Sequence, residues 1–260
     1  MANIKQSDEI NKLKEKLSKI ILEYDNLRLV ECVNIENYYM VNFGYIECKI
    51  YKYYIEYLKL KEKLKLIQYY INLKIELNLE EIENSIEEDF AEYNKEFEKK
   101  IDDLNKAIDF VQSDKLSDED QSEIKKIYYK IIKKLHPDIN PNASEKEKEL
   151  LDFAIKAYKN GDVEKIRSIY YLIIENKYDD NYLIENFDDT KNKLLNMIKN
   201  FEDKIFIIKS SYPYTMKKYL YNENLKREKI IDLNITLKRY KDVVDQMKDE
   251  ISNRLDEMNE

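Results

Sequence analysis

The chain has 260 residues, of which 2 are glycine and 3 are proline, and its net charge at pH 7 is −8. So few turn-forming residues exclude a fold with many tight turns, and the acidic balance argues against nucleic acid as the main partner. One histidine and 2 cysteines provide no ligand set for zinc, so we expect no metal ion and no cofactor. No apolar run could span a membrane and the first residues lack a signal core, so the sequence predicts a cytoplasmic protein.

The fold class follows from the same composition. Charged residues make up 38% of the chain and hydrophobic residues 43%, which is too apolar for disorder and typical of long helices. No convincing alternation of strand type occurs. The sequence therefore predicts an all-α protein in which elongated, coiled-coil-like helical hairpins flank a smaller antiparallel helical hairpin.

Residues 1–112 are predicted to form a coiled-coil region of long helices. Residues 7–24 form a first helix, and a second helix carries apolar side chains at alternating spacings of three and four, which is a heptad pattern. That pattern comprises Phe43, Ile46, Ile50, Tyr53, Tyr57, Leu60, Leu64, Ile67 and Ile71. After an N-cap at Asn78, another long helix has apolar residues from Ile82 to Ile108. The simplest arrangement folds these two long helices into an antiparallel hairpin, with residues 7–24 beside it.

A separate helical unit is predicted for residues 113–178. A polar linker leads to Ser117, a suitable N-cap, and residues 123–135 then place their apolar side chains on one face of a helix. Cationic side chains occupy the opposite face although the protein as a whole is acidic. They are Lys126, Lys130 and Lys133, with Lys134 nearby.

This basic helix is followed by a stiff loop and a second helix. Pro137 ends the helix, because a proline disfavours helical geometry in the residue before it. The loop reads His136-Pro137-Asp138, and a second proline follows at Pro141. Ser144 then caps the next helix, with Glu147 completing a capping box. That helix ends at the Asn-Gly pair of residues 160–161, and Asp162 can cap a further helix.

Residues 179–260 are predicted to form a C-terminal helical hairpin. Apolar residues from Leu194 to Ile208 recur at helical spacing, and a turn around Pro213 follows. A long last helix repeats the pattern from Ile230 to Ile251. We expect these two helices to pack on each other.

The central unit resembles the J domain of DnaJ-type co-chaperones. The resemblance is carried by the basic helix up to Leu135, the loop His136-Pro137-Asp138 with the following Asn140-Pro141, and the second helix ending in Ala157-Tyr158. The Tyr-Leu-Gly stretch of the family's first helix is not found. The Gly/Phe-rich segment and the zinc module of full-length DnaJ proteins are also missing, so the flanks are unlike those of a general DnaJ.

The resemblance implies a function and a partner. In the family, the His-Pro-Asp loop and the basic helix bind a DnaK-type heat-shock chaperone and stimulate its ATPase. Carried over to this chain, Asp138 would pair with an arginine of the chaperone, while His136 and Pro137 would hold the loop geometry. Docking onto an acidic surface of the chaperone would be steered by four lysine side chains, those of Lys126, Lys130, Lys133 and Lys134. On this interpretation the protein is not itself an enzyme.

Several alternatives stay open. The unit could belong to a structural or adaptor protein whose J-like hairpin no longer engages a chaperone, and Asp138 could merely cap local backbone groups. Residues 49–74 interleave lysines with tyrosines, a pattern that can bind single-stranded nucleic acid but also suits a structural helix. The long helices could recruit a client or a scaffold partner. Their apolar faces could also close between two copies of the chain, as in a homo-oligomer.

Overall fold

The computed structural model describes residues 2–113, 115–175 and 187–259. Every regular element in these ranges is helical and none is a strand, which confirms the all-α prediction. The sequence explains this outcome, because glycine and proline rarely interrupt the helical repeat of apolar residues.

In chain order, the α-helices of these ranges are α1 (Ala2–Asn26), α2 (Cys32–Tyr39), α3 (Tyr45–Leu73), α4 (Leu79–Asp89), α5 (Ala91–Gln112), α6 (Asp118–Leu135), α7 (Glu145–Lys159), α8 (Val163–Glu175), α9 (Phe187–Ser210), α10 (Lys217–Tyr221) and α11 (Glu223–Asn259). Two π-helical segments, Leu27–Glu31 and Met40–Gly44, lie on either side of α2. A short 3₁₀ turn covers Tyr214–Met216.

The chain divides into two compact units, each built from two separate stretches of sequence. Unit 1 comprises Met1–Ile35 and Asp114–Thr215, and unit 2 comprises Glu36–Ser113 and Met216–Glu260. The division predicted from the sequence was instead into the contiguous ranges 1–112, 113–178 and 179–260. The difference arises because periodicity finds helices but does not identify the helix that covers each apolar face.

In unit 1, α6, α7 and α8 pack on one another and α1 packs against both α6 and α9. The α6 side chains expected to face the core are buried there, including Ile124, Tyr128, Ile131 and Leu135. Ile132 is fully buried as well. The buried face of α6 is therefore wider than the sequence pattern predicted, since α1 covers part of α6 in addition to α7 and α8.

The predicted helix caps of unit 1 are all present. The Ser117 hydroxyl accepts from the Asp120 N–H at 3.1 Å at the start of α6. Ser144 and Glu147 form the complete capping box of α7. Asp162 accepts from the Lys165 N–H at the start of α8, at 3.0 Å. These contacts satisfy amide groups that a helix start otherwise leaves unpaired, and so they fix where α6, α7 and α8 begin.

In unit 2, α3 packs along α11 and also against α4 and α5. The long helix predicted from Ile82 to Ile108 is interrupted at Phe90, whose backbone (φ −97°, ψ 7°) leaves helical geometry between α4 and α5. Ion pairs join α3 to α4, including Lys59 with Glu87 and Lys63 with Glu83. The α3–α4–α5 part of the predicted hairpin is thus present, with a break that the apolar pattern did not reveal.

The partners of three helices differ from those expected. The predicted C-terminal hairpin pairs the α9 region with the α11 region, whereas α9 packs along α1 in unit 1 and α11 packs along α3 in unit 2. Residues 7–24 were expected beside the long N-terminal helices, and they belong instead to unit 1. An apolar face shows that a helix packs against a partner but not which helix that partner is, so the order in sequence did not predict the pairing.

Removing the cap of α7 should destabilise unit 1. We expect Ser144→Ala to lower the free energy of unfolding by about 1 kcal/mol, because the variant loses the acceptor for the Glu147 N–H. Urea unfolding followed by circular dichroism measures the change. Ser122→Ala, at an exposed position inside α6, is the matched control and should not lower the free energy of unfolding, because alanine has the higher helix propensity. Equal effects of the two variants would contradict this role of Ser144.

Candidate functional site

The candidate site is the loop that leaves the end of α6. The His136 N–H still donates to the Ile132 carbonyl at 3.0 Å, as in the last turn of a helix. His136 itself has extended geometry (φ −66°, ψ 127°), as expected for a residue before proline. Pro137 is exposed and turns the chain outward. The helix therefore ends where the sequence predicted, at Leu135.

The loop is held from its inner side by backbone and amide contacts. The His136 carbonyl accepts from the backbone N–H groups of Ile139 and Asn140, at 2.9 and 2.8 Å. The side-chain amide of Asn140 donates to the carbonyls of Lys134 and, at 3.4 Å, of Lys133. Ile139 and Asn140 are both buried. Because a buried amide left unpaired costs about 1–3 kcal/mol, these contacts fix the loop in one geometry.

His136 lies with one edge against the core of unit 1. Its side chain is 17% exposed, and its ring meets the Phe201 ring edge-on, with 6.3 Å between centroids. Nδ1 accepts from the Asp138 backbone N–H at 3.2 Å, which requires that nitrogen to be unprotonated. Burial lowers the pKa of His136, although the charges of Asp138 and Asp25 oppose the shift. The ring is accordingly neutral at pH 7 and acts as a structural acceptor.

Asp138 faces away from the core. Its side chain is 39% exposed, and the nearer carboxylate oxygen lies 4.0 Å from Nδ1 of His136. Since that ring is neutral, the distance does not amount to a strong ion pair. The carboxylate thus remains accessible beside the exposed Pro137 and could bind a cation presented from outside.

The lysines of α6 follow the outer face of the helix down to this loop. Lys126, Lys130 and Lys133 are exposed, while Lys134 is half-buried and its carbonyl receives the Asn140 amide. The Lys130 ammonium lies 5.3 Å from the centre of the Tyr170 ring on α8. Acidic residues occupy the first turn of α6. This separation suits the helix dipole, but it also gives the loop end of α6 a cationic surface.

A buried carboxyl group beneath the loop was not predicted from the sequence. Asp25, near the end of α1, accepts from the Tyr128 hydroxyl at 2.7 Å and lies 3.7 Å from the Arg28 guanidinium. Burial raises the pKa of Asp25, and it also raises the pKa of the Tyr128 hydroxyl. The one available signal was Tyr128 on the core face of α6, since a buried tyrosine hydroxyl needs a partner.

A stacked pair of tyrosines extends this buried contact to α7. The rings of Tyr128 and Tyr158 stack with centroids 4.2 Å apart and planes within 10°. The Tyr158 hydroxyl donates to the Asn26 side chain at 2.9 Å. Both helices that flank the loop are therefore attached to the same end of α1, which restrains the position of the loop from below.

The alternative site, residues 49–74, uses its lysines and tyrosines within unit 2. Lys59 and Lys63 pair with carboxylates of α4, and Lys65 pairs with Glu62. Burial raises the pKa of Tyr51 to about 12, and the hydrogen bond that its hydroxyl donates to Glu96 at 2.6 Å acts in the same direction. Side chains engaged in this way are less available for phosphates and bases, which favours the structural interpretation of this helix.

The candidate site has the character of a contact surface. It presents one accessible carboxylate, a rigid proline and a row of ammonium groups. Within the described ranges, no group of three or more histidine, cysteine, aspartate or glutamate side chains is arranged to hold a metal ion. Across those same ranges, no helix combines the length and the apolar character needed to cross a bilayer.

Comparison with known proteins adds no relative to this description. No protein-family model matches the chain, and no curated protein or solved structure matches it either.

The environment of His136 can be tested directly, because it is the only histidine of the chain. We expect its NMR titration to give a pKa below 6.5, since burial against Phe201 disfavours the charged ring. Phe201→Ala should raise the pKa by admitting water to the ring. Phe206→Ala, at an exposed position on the same helix, is the control and should leave the pKa unchanged.

The lowered pKa of His136 also predicts how the stability of the protein changes with pH. A histidine whose pKa is lowered by folding adds stability above pH 6.5, and this contribution is lost as the pH falls through the folded-state pKa. A measured pKa of His136 at or above 6.5, or an equal response to Phe201→Ala and Phe206→Ala, would contradict the described packing.

Proposed function

We propose that the protein is a J-domain-like co-chaperone that binds a DnaK-type chaperone through its His136-Pro137-Asp138 loop and stimulates ATP hydrolysis by that chaperone. The observation that supports the proposal best is the two-sided loop. Its inner residues pack toward the core of unit 1; they are His136, Ile139 and Asn140. Pro137 and Asp138 face outward. The sequence resemblance is the reason for proposing this family. The loop geometry supports the proposal, because it leaves Pro137 and Asp138 facing outward for contact with a partner.

A rigid loop suits a docking role because little conformational freedom is lost on binding. The Asp138 carboxylate is accessible and forms no strong ion pair with another described residue, so an arginine of the chaperone could pair with it in the bidentate geometry that guanidinium groups favour. Pro137 adds a fixed apolar contact beside this carboxylate. His136 acts as a positioning residue, since its ring accepts from the Asp138 N–H.

The lysines would orient the encounter. The exposed ammonium groups of Lys126, Lys130 and Lys133 lie on the surface of α6 that leads to the loop. A cationic row of this kind attracts an acidic protein surface at long range and raises the rate of association, an effect that salt reduces. Lys134 would contribute mainly through its backbone carbonyl, which fixes Asn140.

On this proposal the protein itself breaks no bond. Docking would favour a conformation of the chaperone that hydrolyses ATP faster, through differential binding to that conformation. Unit 2 would then recruit a client or a scaffold partner. The adaptor alternative predicts the same loop geometry without stimulation of the chaperone, and so ATP hydrolysis distinguishes the two.

Loss of the Asp138 carboxylate should abolish most of the stimulation. In single-turnover ATP hydrolysis by a DnaK-type chaperone from the same source, we expect Asp138→Asn to weaken stimulation about tenfold, because the contact to the arginine is lost. His136→Gln should act in the same direction by loosening the loop. Asp152→Asn, an exposed aspartate on α7, is the matched control. No stimulation by the wild type, or equal stimulation by Asp138→Asn, would refute the proposal and leave the adaptor function.

Reversing the charge of the lysine row should raise the concentration needed for half-maximal stimulation. We expect about a tenfold increase at low ionic strength for the triple variant Lys126→Glu, Lys130→Glu and Lys133→Glu, and a smaller one at high salt. Lys146→Glu with Lys159→Glu on α7 tests whether charge alone matters. An increase that does not depend on salt, or one shared by the α7 variant, would argue against steering by α6.

A further inference from the structure

The histidine of the loop lies against a helix from outside residues 113–178. Phe201 belongs to α9, and its buried ring meets the His136 ring edge-on, with 6.3 Å between the centroids. The same Phe201 ring meets the Tyr24 ring of α1 at 5.4 Å, with the ring planes 71° apart. We call these three side chains the ring cluster. Edge-to-face contacts are a favoured arrangement of aromatic rings, so the cluster joins the loop to α9 and α1.

Two cationic side chains border the ring cluster. The Lys204 ammonium lies 4.7 Å from the centre of the Phe201 ring and 5.9 Å from the centre of the Tyr24 ring. The Arg28 guanidinium lies 5.6 Å from the centre of the same Tyr24 ring. Both cations are exposed, and half of the Arg28 side chain is open to solvent. Because an aromatic face attracts a cation within about 6 Å, these contacts favour positions of the two charges beside the rings.

Two carboxylates near these cations in sequence are already neutralised. Glu23 pairs with Lys209 at 2.7 Å, and Glu202 pairs with Lys16 at 3.0 Å. Both ion pairs join α1 to α9. Lys204, by contrast, forms no ion pair with another described residue. Its charge is therefore open to a carboxylate presented by a partner.

Two further carboxylates do not cancel this charge. Asp25 lies 3.7 Å from the Arg28 guanidinium, but it is buried and accepts from the Tyr128 hydroxyl. Asp203 is exposed and precedes Lys204 directly. Successive side chains of an α-helix point about 100° apart, so the Asp203 carboxylate is directed away from the side on which Lys204 covers the rings. We call Arg28 and Lys204 the cationic rim.

We propose that the docking surface for the chaperone extends from the His136-Pro137-Asp138 loop onto α1 and α9, where Lys204 and Arg28 bind acidic side chains of that partner. The inference rests on the proposed function, since it concerns the partner of the same loop. Asp138 would pair with a basic group of the chaperone and the cationic rim with acidic groups beside it. Contacts of opposite sign would then fix the orientation of the partner.

The occupant of the cationic rim is the partner of the loop because the two are adjacent. His136 connects them, since its Nδ1 lies 4.0 Å from the Asp138 carboxylate and its ring touches Phe201, which Lys204 covers. A standard protein interface covers about 800 Å² of each partner, which is far wider than one phenyl ring. A protein seated on the loop therefore meets the rim as well.

The test measures how the concentration of the full chain affects single-turnover ATP hydrolysis by a DnaK-type chaperone from the same source. We expect Lys204→Glu to raise the concentration for half-maximal stimulation about fivefold at low ionic strength, and less at high salt. Combining it with Arg28→Gln should increase the effect. Lys204→Arg keeps the charge and should behave as the wild type. Lys199→Glu, at an exposed lysine of α9 outside the ring cluster, is the matched control.

The outcomes separate this inference from the proposed function. If the wild type does not stimulate, or if Asp138→Asn stimulates equally, both are refuted. If Asp138→Asn loses stimulation while Lys204→Glu matches Lys199→Glu, the inference alone is overturned. An effect of Lys204→Glu that salt does not reduce, or that Lys204→Arg shares, would indicate altered packing and would also overturn it. Circular dichroism and urea unfolding verify that each variant folds.

Discussion

The loop after α6 depends on the contacts that bury its inner side. Leu135 and Ile139 enter the core of unit 1 on either side of the loop, and Asn140 returns its amide to the carbonyls at the end of α6. Each hydrogen bond contributes about 1 kcal/mol net, but the larger effect is the penalty for leaving the buried Asn140 amide unpaired. Pro137 is exposed and Asp138 is partly exposed as a consequence, because the residues on either side of them are buried in the core.

Charge is distributed differently on α6 and on α4. On α6 the lysines face outward from a helix whose inner face is formed by isoleucine, leucine and tyrosine, so their charge does not weaken the core. On α4 two glutamates neutralise lysines of α3, namely Glu83 and Glu87. The cationic face of α6 and the acidic face of α4 therefore belong to separate compact units.

The ends of the helices in unit 1 could be predicted from the sequence, because capping residues and a terminal glycine act on the backbone within a few positions. Ser117, Ser144 with Glu147, and Asp162 cap their helices as predicted, and Gly161 takes the positive φ of 67° that ends α7. The pairing of α1 with α9 and of α3 with α11 could not be predicted from the sequence, since these contacts join distant parts of the chain. Asp25 was missed for the same reason: its partner Tyr128 is identifiable only when α1 lies against α6.

Hydrogen–deuterium exchange of the chain with and without an ATP-bound DnaK-type chaperone tests the central claim most directly. We expect slower exchange of backbone amides in the exposed half of the loop and in the last turns of α6, from Lys130 to Asn140. Amides of the turn between α3 and α4 in unit 2, from Leu73 to Leu79, should exchange at an unchanged rate in the same experiment. Unchanged exchange around His136 and Asp138 at saturating chaperone, or protection confined to unit 2, would contradict the claim that this loop is the docking surface.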